Sequence, residues 1–101
     1  MMKSEITIVV PIFFKSESAA LGRERLLALA AATHKEAGNI MYRIHEVPGK
    51  PEQYMIYEKW HDQAALDYHM SQKYLLDFLA DEDKLFAGEV KGTICTEIDV
   101  D

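Results

Sequence analysis

Residues 5–14 read EITIVVPIFF. Laid out as a strand, they are apolar on both sides, with Ile6, Ile8, Val10 and Ile12 on one face and Val9, Pro11 and Phe13 on the other. A strand with one solvated face alternates apolar and polar side chains, so this one is expected to be covered on both. Thr7 and Pro11 interrupt the run, and it is far shorter than the roughly 20 residues of a membrane-spanning helix. No small-residue cleavage site follows Met-Met-Lys-Ser-Glu, so the run reads as a strand and not as a signal peptide. The 101 residues make a single domain, 1–101, with one modest core. One such core fills one face of a sheet. The second apolar face calls for a second copy of the chain, because an open patch of that size is rare on a monomer.

The remaining elements follow from periodicity and punctuation. A polar turn at Lys15–Ser18 leads into a helix over about 19–37, with Leu26, Leu29, Ala30, Thr33 and Ala37 on one stripe. Gly38 is placed to end it in a left-handed cap. Asn39–Val47 reads as a second strand, alternating Ile40, Tyr42 and Ile44 against Met41, Arg43 and His45. The turn signal Pro48-Gly49-Lys50-Pro51-Glu52 joins it as a hairpin to a third strand, from Gln53 to Trp60 or His61. Asp62 is a helix N-cap for Gln63–Met70. A further short helix runs from Ser71 to Leu79, with Leu75, Phe78 and Leu79 inward. Asp81-Glu82-Asp83 is a solvated break, and Glu89–Ile98 is the last strand. The order β-α-β-β-α-β defines an α+β, ferredoxin-like split βαβ fold, with both helical segments on one face of a four-stranded antiparallel sheet. The open face is the expected homodimer surface.

Composition narrows the functions available. Seventeen acidic residues stand against 11 basic ones, a net charge of −6, which argues against binding a phosphate backbone. No membrane partner is expected. The lone Cys95 fits a reducing, cytoplasmic location. His34, His45, His61 and His69 show neither H-x-H nor H-x-x-x-H spacing, so no metal site is expected. No glycine-rich phosphate loop is present either.

The chemistry concentrates at one strand-to-helix corner, Tyr57-Glu58-Lys59-Trp60, with His69 following nine positions after Trp60. Glu58 shares a strand face with Tyr54, Ile56 and Trp60. A carboxyl group among aromatics rises in pKa toward the range of a working base, unless an ion pair with Arg43 or Lys59 holds it. His69 is either a proton-transfer group or a structural histidine satisfied by a backbone carbonyl. Trp60 can wall a flat pocket and donate its N–H. Tyr42, Tyr54 and Tyr57 are candidate donors to a ligand oxygen and equally ordinary sheet-packing residues.

These residues resemble a known family. Glu36-Ala37-Gly38-Asn39-Ile40-Met41-Tyr42 is similar to an E-P-G-C-x-x-Y signature of the antibiotic biosynthesis monooxygenase domain, also found in quinol monooxygenases. Tyr54–Trp60, followed by Ala65, Leu66 and His69, is similar to its F-x-x-x-E-x-W…A-L-x-x-H signature. The resemblance implies a dimeric α+β barrel with a pocket between sheet and helices. It implies oxidation of a phenolic or quinol-like aromatic by dioxygen with no cofactor, flavin or metal. His69, Glu58 and Trp60 are then the catalytic candidates, and Tyr42, Tyr54, Ile56, Tyr57 and Leu66 the substrate-binding ones. Ile56 and Leu66 stand where members that oxidise polyketide anthrones carry asparagine and tyrosine. Haem-degrading relatives carry an asparagine on the first strand and a histidine where this chain has Leu79. Two other readings stay open. One is an isomerase of a small, phosphorylated hydroxyketone, with Arg43 or Lys59 holding the anion. The other is a non-catalytic ligand-binding or regulatory module.

Overall fold

The computed structural model describes residues 4–100. Its elements are β1 (Ile6–Phe13), a 3₁₀ turn (Ser16–Ser18), α1 (Ala19–Thr33), β2 (Asn39–Val47), β3 (Lys50–Trp60), α2 (Gln63–Met70), α3 (Lys73–Ala80), α4 (Glu82–Leu85) and β4 (Thr93–Cys95). The sheet order is β2-β3-β1-β4, and every neighbouring pair is antiparallel. This is the α+β, ferredoxin-like arrangement expected from the element order.

Strand register decides which side chains meet. Ile8 and Tyr42 both sit opposite Glu58, so the three form one row across β1, β3 and β2. Val10, Ile56 and Ile44 form the next row, and Ile6 faces Trp60. The inward set Ile8, Val10, Ile12, Tyr54, Ile56 and Trp60 packs with Leu26, Leu29 and Ala30 of α1 and Phe78 of α3 into one core. Each fully buried large side chain of this kind contributes about 1.5–3 kcal/mol. The opposite side of the sheet carries Val9, Tyr57 and Arg43 in one row and Pro11, Met55 and His45 in another. These residues are only partly buried or exposed, and Phe13 is 41% exposed. The helices lie on the other side.

Several boundaries differ from the sequence expectation. α1 ends at Thr33, not near residue 37. The Thr33 hydroxyl bonds back to the Leu29 carbonyl at 2.8 Å, and the chain leaves through tight bonds from Lys35 to Ala32 and from Glu36 to Thr33. Gly38 is not a left-handed cap; among the described residues only Gly49, at the β2–β3 turn, has a positive φ. Gly38 is required for a different reason: a Cβ there would lie 2.3 Å from the Ala65 Cβ on α2. The β2–β3 turn itself is only Pro48-Gly49, so β3 begins at Lys50, with an irregularity in register near Val47. β4 is only three residues long: Cys95 pairs with Thr7, next to the first residue of β1, so the chain beyond has no strand to follow, and residues 89–92 form no strand. Residues 81–83 are not a simple break: α4 forms there and buries Leu85 completely.

Candidate functional site

Asp62 caps α2 by accepting from the Ala65 N–H at 2.9 Å. That fixes the helix register, and Leu66 and His69, three apart, then point at the sheet. Between them and the sheet lies a cavity of about 330 Å³. Ile8, Val10, Tyr42, Ile56 and Glu58 form its sheet side, and Leu66, His69 and Phe78 its helix side. The exposed members of the lining, Gln63, Asp67, Met70, Gly92 and Ile94, mark the rim. The volume is within the range of small-molecule sites.

Glu58 is 5% exposed and sits in this apolar space between Ile8 and Tyr42. Burial pushes its carboxyl group up to about 7; the Trp60 N–H opposes that rise, and the nearby Glu36 adds to it. Trp60 Nε1 donates to Glu58 Oε1 at 2.9 Å. Oε2 has no hydrogen-bond partner among the described residues. Burial, with the charges of Glu58 and Glu36, also raises the Tyr42 hydroxyl far above its ordinary value, so it stays protonated and able to donate.

His69 is 2% exposed and its ring lies on the Trp60 indole, with centroids 4.4 Å apart and planes tilted by 32°. Its Nδ1 meets Glu36 Oε2 at 2.7 Å. The Tyr74 hydroxyl donates to the same oxygen. Glu36 Oε1 is buried, with no hydrogen-bond partner among the described residues. His69 therefore does not bond a backbone carbonyl; its polar partner is a buried carboxyl group.

The candidate residues divide into those at the cavity and those elsewhere. Glu58, His69, Tyr42, Ile56 and Leu66 line it. Trp60 does not: it is fully buried behind Glu58 and His69 and supports both. Tyr54 lies in a separate depression beside the β2–β3 hairpin, where Arg23 sits 5.9 Å over its ring. Tyr57 is on the other face of the sheet, opposite Val9 and Arg43, because odd-numbered β3 residues point away from the helices. Lys59 is on that face too, paired with Glu97. Among the described residues no lysine or arginine lines the cavity.

Glu36 was not singled out as a site residue from the sequence, although it opens the first family signature. Its signal is a carboxylate just past the C-terminal end of a helix, where the helix dipole disfavours negative charge. A residue placed against that preference needs another partner, and His69 and Tyr74 supply it.

Comparison with known proteins agrees with this architecture. The antibiotic biosynthesis monooxygenase family profile matches residues 5–81. The chain belongs to that family. PA3566 from Pseudomonas aeruginosa is similar over 98% of this chain and 99% of its own, with 25% identity and a TM-score of 0.89. Rv0793 from Mycobacterium tuberculosis is similar over 96% and 98% respectively, with 21% identity and a TM-score of 0.88. A solved antibiotic biosynthesis monooxygenase, 17% identical, covers 93% of this chain and 99% of its own at a TM-score of 0.86. No protein of curated function matches. Family membership supports a monooxygenase-like function in general terms. Among the described residues no helix is long and apolar enough to cross a membrane.

Proposed function

We propose that the protein is a cofactor-independent monooxygenase that oxidises a neutral phenolic or quinol-like aromatic with dioxygen. The observation that carries this reading is Glu58: a carboxyl group tuned to about 7, one oxygen held by Trp60, and set in an apolar cavity of ring-sized volume. A base is most effective when its pKa lies near the working pH. In the balanced reaction a hydroquinone and dioxygen give a hydroxyquinone and water. One oxygen atom enters the ring, the other becomes water, and the two protons of that water come from the substrate. Two proton carriers therefore serve the reaction, and Glu58 and His69 both face the cavity interior. Glu58 takes the hydroxyl proton, and the resulting anion reduces dioxygen. His69 takes the second proton, and both are returned to the departing oxygen. Tyr42 stays protonated and donates to the developing oxyanion. Trp60 orients Glu58 and does not touch substrate.

A phosphorylated hydroxyketone fits the cavity poorly. Arg43 and Lys59, the cations an isomerase would use, point away from it, and Glu58 and Asp67 make its lining acidic. We also propose that a second copy covers the Val9–Tyr57–Arg43 face of the sheet, since that face is the apolar one the helices leave open.

Oxygen uptake by the metal-stripped, chelator-treated protein over a panel of substituted hydroquinones tests the catalytic reading. Uptake above the rate of autoxidation with at least one quinol is expected. No response to any member of the panel sinks the proposal.

A further inference from the structure

We infer that Glu36 is a positioning residue of this site: it holds His69 with its proton on Nδ1 and Nε2 available to the cavity, and it links that imidazole to solvent on the other side of α2. The inference rests on where one buried pair lies. His69 lines the cavity. Glu36 lines a second, outer depression of about 620 Å³, formed with Lys35, Gly38, Ala65, Tyr68 and Tyr74. The side chains of His69 and Glu36 are only 3% and 6% exposed, yet they touch at 2.7 Å. The pair thus separates two spaces that have no other polar connection described between them.

The bonding fixes the tautomer. Glu36 Oε2 accepts the Tyr74 hydroxyl and faces His69 Nδ1. A carboxylate is an acceptor only, so the bond exists with the hydrogen on Nδ1. In the neutral ring Nε2 then carries the lone pair. Nε2 has no hydrogen-bond partner among the described residues, and stacking on Trp60 sets the plane of the ring. The bare, buried Oε1 is the second acceptor position of the same carboxyl group. A buried polar atom without a partner is costly in a group that only fills space.

The transfer balances. A proton taken up at Nε2 makes an imidazolium. The Nδ1–H bond then breaks toward Glu36, a carboxyl O–H forms, and that proton leaves to water in the outer depression. One proton has moved from cavity to solvent, and the ring is neutral with its hydrogen on Nε2. From that state Nε2–H is a donor to a departing oxygen, and a proton returning through Glu36 restores the start. The kinetic part of this rests on the oxygenase reading above; the tautomer does not.

The experiment uses the full-length protein with ¹⁵N-labelled histidine. The His69 imidazole is observed in its neutral form, above its own titration, in the wild type, in Glu36→Ala, and in Glu36→Ala with added formate. The wild type is expected to carry its hydrogen on Nδ1. Glu36→Ala is expected to move it predominantly to Nε2, and formate entering from the outer side is expected to move it back. A wild-type ring protonated on Nε2 overturns the inference without any variant having to fold. A tautomer unchanged by Glu36→Ala, or a folded Glu36→Ala that formate does not restore, overturns it as well. With an active quinol, Glu36→Ala should lower kcat by about tenfold or more and leave KM within about threefold. An unchanged kcat overturns the proton link. If no quinol turns over while the tautomer behaves as stated, the oxygenase reading fails and the placement of His69 by Glu36 stands.

Discussion

Trp60 and Glu58, two residues apart on β3, point the same way, and the indole N–H donates to the carboxyl oxygen at 2.9 Å inside the protein. Trp60 does not line the cavity, so it acts there only through the groups it supports, Glu58 and His69. Trp60→Phe removes the donor that opposes the upward shift of the Glu58 carboxyl. The rise of kcat/KM with pH, expected to have its midpoint near 7 in the wild type, should therefore move to higher pH in the variant. A pH–rate profile with the same midpoint would show that Trp60 does not tune Glu58.

Glu58 also makes stability depend on pH. Its carboxyl is at about 7 in the folded protein against 4.5 for the free group. The folded state thus holds this proton where the unfolded chain has lost it. Its contribution is fully present below 4.5 and is lost as pH rises through about 7, an upper limit of about 3 kcal/mol. Urea unfolding at mildly acidic and mildly alkaline pH should show this loss in the wild type. Glu58→Gln, which keeps an acceptor for Trp60, should lack that share of it. Equal pH dependence in the two proteins would contradict the buried carboxyl.

Much of this was legible in the sequence. Strand alternation located β2 with its observed bounds and gave the inward face of β3, and Asp62 marked the start of α2. Both depend on contacts within a few residues. What local pattern could not supply were effects set by distant neighbours. Past the end of α1 the chain tightens, and Glu36 is turned toward His69, 33 positions away. β4 stops at Cys95 because β1 begins beside it, at Ile6. Tyr57 looked like a pocket residue from its place beside Glu58, yet adjacent strand positions face opposite sides. Trp60 lies on the correct face but behind the polar groups, a matter of depth that periodicity does not encode.

Gly38 illustrates such a distant constraint. A methyl group there meets the Ala65 Cβ at 2.3 Å, and the Ala65 backbone leaves it little room to give. Gly38→Ala should cost about 1–3 kcal/mol by overpacking, and by pushing on α2 it should disturb His69. Chemical denaturation measures the first effect and the His69 imidazole resonances the second. A variant as stable as the wild type would mean that the α1–β2 loop gives way easily.

The proposed second copy on the outer sheet face is open to a direct test. Sedimentation should find the wild type at twice the 11.5 kDa chain mass. Tyr57→Glu, which places a charge in the middle of that face, should shift the protein toward the monomer. A wild type that is monomeric at micromolar concentration refutes the dimer.

The central claim is that Glu58 starts an oxidation by dioxygen without a cofactor. The most direct measurement is product labelling under ¹⁸O₂ with an active quinol, comparing wild type with Glu58→Gln after removal of metals. The account predicts one labelled oxygen per product molecule and one dioxygen consumed per turnover in the wild type. In Glu58→Gln the rate should fall by about 10²–10⁴-fold. Full activity in Glu58→Gln, or product oxygen drawn from water, would contradict it.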